Sequence, residues 1–338
     1  MGVTLPVGLG TTIGTLPHAD PSAAVQFVLT SQPRLPALPL LPNWSPLERR
    51  IPQAASGIPG VTVRADGSLD ISPSRRGHTS LDPEATFSDT AFALPAYRVL
   101  HHFLDALASW AGPAKFQVAG PITLGLALQR AGVSDTVAFQ VAGNVLCGRV
   151  RALLDLVKAR APLVAPVVFV DEPGLRSIGE PGFPLGPNEA VDLVSSVLAT
   201  IEPRGTTALR CGGPADWPLV LAAGPQILAV PATPSMIDVA GTLDQFLEGG
   251  GWVAWGAVPT EGPMFGVNRL WRELAGLWCD LVRSGVDPVR LRTQALVTPV
   301  AGLGRYGVQQ AEAVLSLVDN LARRLYDQAT GLRLSMGA

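Results

Sequence analysis

From residue 116 onward the chain alternates short apolar runs with longer stretches of helical period. The clearest run is Leu163 to Val170, Leu-Val-Ala-Pro-Val-Val-Phe-Val, which holds no charged residue. A run of this kind suits a strand covered on both faces, as in a parallel sheet flanked by helices. Similar runs at 116–119, 206–211, 226–230, 252–258 and 293–297 predict further strands. Between and after them, 134–159, 187–201, 241–248, 267–284 and 309–328 predict helices. Two weaker strands precede the series, near residues 9 and 38. The second carries prolines, which cannot donate to a strand ladder.

The early chain is less regular. Asp20 before Pro21 caps a helix over 21–29, and Asn43-Trp-Ser45 caps one over 46–55. Residues 61–71, with Ala65-Asp66-Gly67 in the middle, predict a hairpin. Residues 72–86 are polar and irregular and hold Arg75, Arg76 and His78. Residues 88–110 predict a long amphipathic helix kinked at Pro95. Eight strands, six of them in strict alternation with helices, predict an α/β fold: a single (β/α)8 TIM barrel over residues 1–338, with a hairpin and loop excursion near residues 56–87. No Gly-x-Gly-x-x-Gly opens a helix after a strand, which argues against a dinucleotide-binding sheet.

Composition narrows the partners. At 338 residues and 47% hydrophobic the chain can bury a large core, and a net charge of −2 gives no basic field for nucleic acid. Cys147, Cys211 and Cys279 form no disulfide framework, which suits a reducing compartment. The N-terminus lacks the pattern of a secretory signal, and no uninterrupted apolar stretch has membrane-spanning length, so a cytoplasmic protein is expected.

In a barrel of this type the chemistry sits at the carboxyl ends of the strands. Those positions hold Gly14-Thr15, Gly120-Pro121, Asp171-Glu172, Cys211, and Thr260 beyond the strand of Trp255. An acidic pair after an apolar strand is costly unless it binds something. Asp171 and Glu172 could hold an ammonium group, pair with an arginine such as Arg176, or act as acid and base. Cys211 is either a metal ligand or nucleophile, or a small buried filler. Gly14-Thr15 and Gly120-Pro121 either offer backbone N–H groups to a carboxylate or make ordinary turns. Trp252 and Trp255 have opposite parity, so one of them faces a pocket if either does. Of the four histidines, His18 follows the first strand and could reach the mouth, while His101 and His102 sit in a helix as packing or surface residues.

Taken in order, Thr11-Thr-Ile-Gly-Thr-Leu-Pro17, Gly120-Pro-Ile-Thr123, Val170-Asp-Glu-Pro173, Cys211-Gly-x-x-x-Asp-Trp217, Trp255-Gly-Ala-Val-Pro-Thr260 and Thr298-Pro-Val-Ala-Gly-Leu303 resemble the cobalamin-independent methionine synthase family. That family belongs to the broader superfamily that includes uroporphyrinogen decarboxylase. The likeness is to its short, single-barrel members and to the catalytic C-terminal barrel of the longer ones. It implies methyl transfer from a folate, or from a corrinoid protein, to a thiol such as homocysteine held as a thiolate on zinc. By position it implies that Ile13, Gly14 and Thr15 meet the amino acid's carboxylate, Asp171 its ammonium, and Cys211 the zinc. The chain departs from the family's zinc motifs at Leu209 and Ala301, and offers no acidic ligand within Ala229-Val-Pro-Ala-Thr233. The resemblance thus implies a methyltransferase-like protein with an incomplete zinc site. The alternatives are an amino-acid-binding or regulatory barrel and, less favoured for want of evident arginine anchors at the mouth, a decarboxylase or lyase.

Overall fold

The computed structural model describes residues 5–71 and 81–336. Most of the predicted irregular segment, with Arg75, Arg76 and His78, therefore lies outside the described residues. The chain opens with a two-residue strand, β1 (Leu9–Gly10), and helix α1 (Pro21–Ser31), whose first turn is capped by Asp20 accepting from the Ala23 N–H at 2.7 Å. Helix α2 (Arg50–Ala55) follows a single 3₁₀ turn at Pro46–Glu48, so the helix expected over 46–55 is divided. The hairpin forms as expected, with β2 (Val61–Val63) antiparallel to β3 (Leu69–Ile71). The predicted helix over 88–110 does not form as one rod. Pro95 lacks the N–H that would continue it, and two 3₁₀ segments, Asp89–Ala93 and Pro95–Tyr97, precede α3 (Arg98–Ala106).

The regular alternation then follows the expected order. Strand β4 (Gly112–Ala119) leads to α4 (Pro121–Arg130) and α5 (Asp135–Arg160), and β5 (Val164–Asp171) to α6 (Pro187–Ile201). Next come β6 (Thr206–Arg210), α7 (Trp217–Ala222), β7 (Ile227–Pro231), α8 (Ala240–Glu248) and β8 (Trp252–Val258). Helices α9 (Val267–Arg283) and α10 (Pro288–Thr293), strand β9 (Ala295–Pro299) and α11 (Val308–Met336) complete the chain. Helix α5 is long and apolar enough to cross a membrane by length and composition, but 61% of its apolar window is buried inside the fold.

Seven strands form one curled parallel sheet in the order β1-β9-β8-β7-β6-β5-β4. The result is a half-barrel, where eight strands in a closed ring were expected. The missing strand is the proline-bearing segment 36–40, which runs between the two edges and makes only isolated parallel bridges, Thr15 with Leu40 and Ala37 with Lys115. Four backbone bonds stitch it: Leu16 N–H to Leu40 O and Leu40 N–H to Gly14 O on one side, Leu38 N–H to Lys115 O and Lys115 N–H to Pro36 O on the other. Pro36 and Pro39 cannot donate, so no continuous ladder forms.

Side-chain alternation divides the interior in two. Val167, Phe169, Ala208, Ile227, Ala229, Trp252, Ala254 and Leu296 fill the inside of the curled sheet. Val168, Val170, Leu209, Leu228, Val230, Val253, Trp255 and Val297 face the helices in a larger core.

Side chains reinforce the seam at segment 36–40. Lys115 Nζ donates to Thr12 O at 2.5 Å, and Gln117 Nε2 to Leu38 O at 3.4 Å. Gln117 lies so close over Gly14 that a β-carbon there would overlap its amide, and Gly14 holds a φ of +105°. Gly14→Ala should therefore lower stability in urea titrations by more than about 2 kcal/mol, since strain and overlap add. Gly262→Ala, at a φ of +80° with open space around it, should cost only about 1 kcal/mol. Equal losses at the two positions would show that Gln117 does not pack against Gly14 as described.

Candidate functional site

The carboxyl ends of the parallel strands surround a cavity of about 240 Å³, walled by Ile13, Arg210, Ala229, Pro231, Ala254, Gly256 and Thr298, with Gly212-Gly213-Pro214 at its lip. The alternation that fills the inside of the sheet continues upward into this wall. On β5, Val167 and Phe169 face inward, so Asp171 does too. Register pairs Asp171 with Arg210 and Arg210 with Ala229. The Asp171 carboxylate is buried between two guanidinium groups, Arg50 at 3.0 Å from one oxygen and Arg210 at 3.4 Å from the other. Arg210 also donates to Val300 O at 3.5 Å. Arg50 comes from α2 and keeps its buried Nε without a partner among the described residues.

Below this layer lies Lys115, with 1% of its surface exposed. Its Nζ sits 4.2 Å from the centre of the Phe169 ring. Burial pulls the amine down to about 7; Asp171 opposes that shift, and Arg210 and Arg50 add to it.

Glu172 does something different from its neighbour. One residue beyond the end of β5, it points to the helix side and caps α4. Its Oε2 accepts from the Ile122 N–H at 2.8 Å, and its Oε1 from the Thr123 N–H at 2.8 Å, the Gly174 N–H at 3.2 Å and the Thr123 hydroxyl. Burial raises its pKa to about 7 against the pull of these donors. The N–H groups after Gly120, read as either a site for a ligand's carboxylate or an ordinary turn, are taken by a carboxylate of the chain itself. A β-carbon on Gly120 would collide with Glu172, so this glycine is required for the cap.

The other expected site residues separate in space. Ile13 is on the cavity wall. Thr15 lines a neighbouring depression with Arg49, Ala301 and Gly302. Trp255 is fully buried on the helix side, its ring 6.1 Å from that of Trp278 on α9, and Trp252 fills the inside of the sheet. Trp255 therefore packs on the face of the sheet opposite to the cavity wall formed by its neighbours Ala254 and Gly256. Thr260 is buried with its carbonyl bonded to Gln310 Nε2 at 2.7 Å, outside the cavity wall. His18 packs on Phe27 with ring centres 4.7 Å apart, and burial lowers its pKa.

Cys211 follows β6 directly and belongs to the same helix-side core as Leu209. Burial pushes its thiol up to about 12, and the Glu172 carboxylate adds to the effect. A structural zinc would need three further ligands beside this thiol. Among the described residues no group of three or more His, Cys, Asp or Glu side chains could hold a metal ion. The residues present therefore do not fit zinc. On β6 the inward position falls on Arg210, between the two positions to which the family's zinc ligands correspond.

Sequence reasoning missed Arg210, Arg50 and Lys115. The first and last carried a usable signal: each is a cation at an inward position of a strand whose inward parity its neighbours reveal. Arg50 carried none, because it reaches the mouth from a short helix outside the alternating series.

No protein-family model matches the chain, and no curated protein matches it.

Two consequences can be measured. The folded value of the Lys115 amine, about 7, lies below its ordinary 10.5. Between those values the unfolded chain binds more protons than the folded one, so stability rises with pH across that window and the burial cost is fully felt below it. In urea titrations the wild type should gain on Lys115→Met as pH rises from about 7 toward 10.5; a difference independent of pH would show that the amine is not desolvated. Glu172→Gln would place an amide N–H against groups that are all donors, and should cost about 2 kcal/mol or more in the same assay. A neutral outcome would remove the cap from the account of α4.

Proposed function

We propose that the chain is a methionine synthase-like barrel, with segment 36–40 as its eighth strand, whose mouth binds a small carboxylate-bearing molecule such as an amino acid. The observation that carries this reading is the Arg50–Asp171–Arg210 cluster beside the cavity. Two guanidinium groups share one carboxylate there, which leaves a surplus of one positive charge in a partly desolvated place. An incoming carboxylate supplies the missing charge, and arginine receives it through paired N–H donors. The Arg210 contact, at 3.4 Å, is the looser of the two and the nearer to the cavity. Asp171, assigned by resemblance to a substrate ammonium, is here committed to arginine, so the ligand's acid group carries the recognition.

Zinc-dependent activation of a thiol forms no part of this proposal, because Leu209 and Cys211 face the helices. Methyl transfer from a folate or a corrinoid protein would need another means of activating its acceptor. The three unpaired cysteines fit a reducing compartment, which we take to be the cytoplasm.

Calorimetric titration with methionine, homocysteine, pyruvate and acetate tests the reading. Binding of at least one is expected, weakened about tenfold or more in Arg210→Gln. No binding by any of them, or binding indifferent to Arg210, would reject it. Metal analysis of protein purified without chelators should show no stoichiometric zinc. Stoichiometric zinc lost in Cys211→Ser would overturn the placement of Cys211 outside a metal site.

A further inference from the structure

We propose that Lys115 is a reactive amine beneath the mouth that forms a Schiff base with a small 2-oxo acid admitted through the Arg210 side of the cavity. The inference rests on the carboxylate-binding reading above and adds to it a class of ligand and a covalent step.

The residue type is the first observation. Of the chain's 25 lysines and arginines, only Lys115 and Lys158 are lysine. Lys158 is exposed on α5, whereas Lys115 points into the sheet. Where the fold needs a permanent buried cation it uses arginine, as with Arg149, which is buried and donates to Ala54 O and Ser56 O. Arginine keeps its proton under all ordinary conditions, while a buried lysine can lose one and become a nucleophile.

The surroundings are the second. An ammonium has three donors to place. Among the described residues Lys115 Nζ finds one acceptor, Thr12 O, with the face of Phe169 beside it. The ring face favours a cation, but among the described residues two of the three donors are left without an acceptor in a buried place, which costs the charged form more than the neutral amine. The lowered proton affinity of the group agrees with that geometry. The charged groups that act on it are Asp171 from β5, Arg210 from β6 and Arg50 from α2, which are the mouth cluster itself. A carboxylate that takes Arg210 competes with its 3.4 Å contact to Asp171, and so opens the layer that separates the cavity from the amine. A carbonyl one carbon from that carboxylate then points down toward Nζ.

The step balances without a redox partner. The Nζ lone pair forms a bond to the carbonyl carbon as the carbonyl π-pair moves to oxygen, which takes a proton. The hydroxyl then leaves as water with a second proton, and the nitrogen, having given up both of its hydrogens, is left double-bonded to carbon. Asp171, which acts on the amine electrostatically and keeps Arg50 when Arg210 turns to the ligand, is the carboxylate assigned to relay those protons.

The test uses the full chain with pyruvate or glyoxylate and sodium cyanoborohydride, which reduces an imine to a stable secondary amine, followed by peptide mass mapping. With two lysines and the N-terminus as the only primary amines, the map is unambiguous. We expect labelling on Lys115 in excess of that on exposed Lys158, about tenfold less in Arg210→Gln, and suppressed by acetate, which has the carboxylate but no ketone or aldehyde. Because the label is read on the wild-type chain, the result does not depend on Lys115→Met folding. Labelling confined to Lys158 or the N-terminus, with pyruvate or acetate binding intact by calorimetry, overturns this inference and leaves the carboxylate site standing. No labelling of Lys115 and no binding overturns both.

Discussion

Strand alternation is the constraint on which the rest of the structure depends. At the end of β5 it sends two adjacent carboxylates, the strand's last residue and the one after it, to opposite faces of the sheet. Glu172, facing out, gathers the first N–H groups of α4 and so fixes a helix to the sheet. Asp171, facing in, gathers two arginines and so organises the mouth. Neither role is available to the other residue, since a shift of one position would exchange them. The polarity is consistent with the burial: a carboxylate among donors on the helix side, a carboxylate among cations on the inner side, and in both places enough partners to make the burial tolerable.

The same alternation explains how the seam is held. A proline-bearing segment between β1 and β4 can make only a few ladder bonds. The inward side chains of β4 lie next to that gap. Lys115 and Gln117 reach across it to Thr12, Gly14 and Leu38. Long polar side chains thereby replace part of the backbone pairing that Pro36 and Pro39 forgo. Gly14 is required at the point of closest approach, because any β-carbon would meet the Gln117 amide.

Much of this was legible in the sequence. The run 163–170 announced a strand buried on both faces, and the helix at 187–201 formed with the bounds expected for it. The long helix predicted over 88–110 does not form because Pro95 stops it where a kink was expected, with a 3₁₀ segment before the proline and another starting at it. At the site, strand ends are legible in the sequence, whereas which face each side chain takes depends on the register. Of the two readings open for Cys211, ligand or nucleophile and small buried filler, its place beside Leu209 in the helix-side core agrees with the second. The Asp171–Arg210 register would have shown that the inward residue of β6 is the arginine. Arg50 was beyond reach, since only the folded chain brings α2 over the strand ends.

The charge of the mouth follows from these placements and bears on its chemistry. A zinc–thiolate centre concentrates anionic ligands around a cation, and its pocket then favours a neutral or anionic thiol presented to metal. Here the fixed charges are guanidinium groups, the inward carboxylate of Asp171 is already bound to them, and the thiol lies on the other face of the sheet. Such a field favours an anion and disfavours a second cation close by. It therefore also disfavours the proton on Lys115, which sits beneath both arginines with one hydrogen-bond acceptor. Burial is the larger cause of the amine's lowered proton affinity, and the same two arginines that would draw a carboxylate into the cavity add to it against the opposing pull of Asp171.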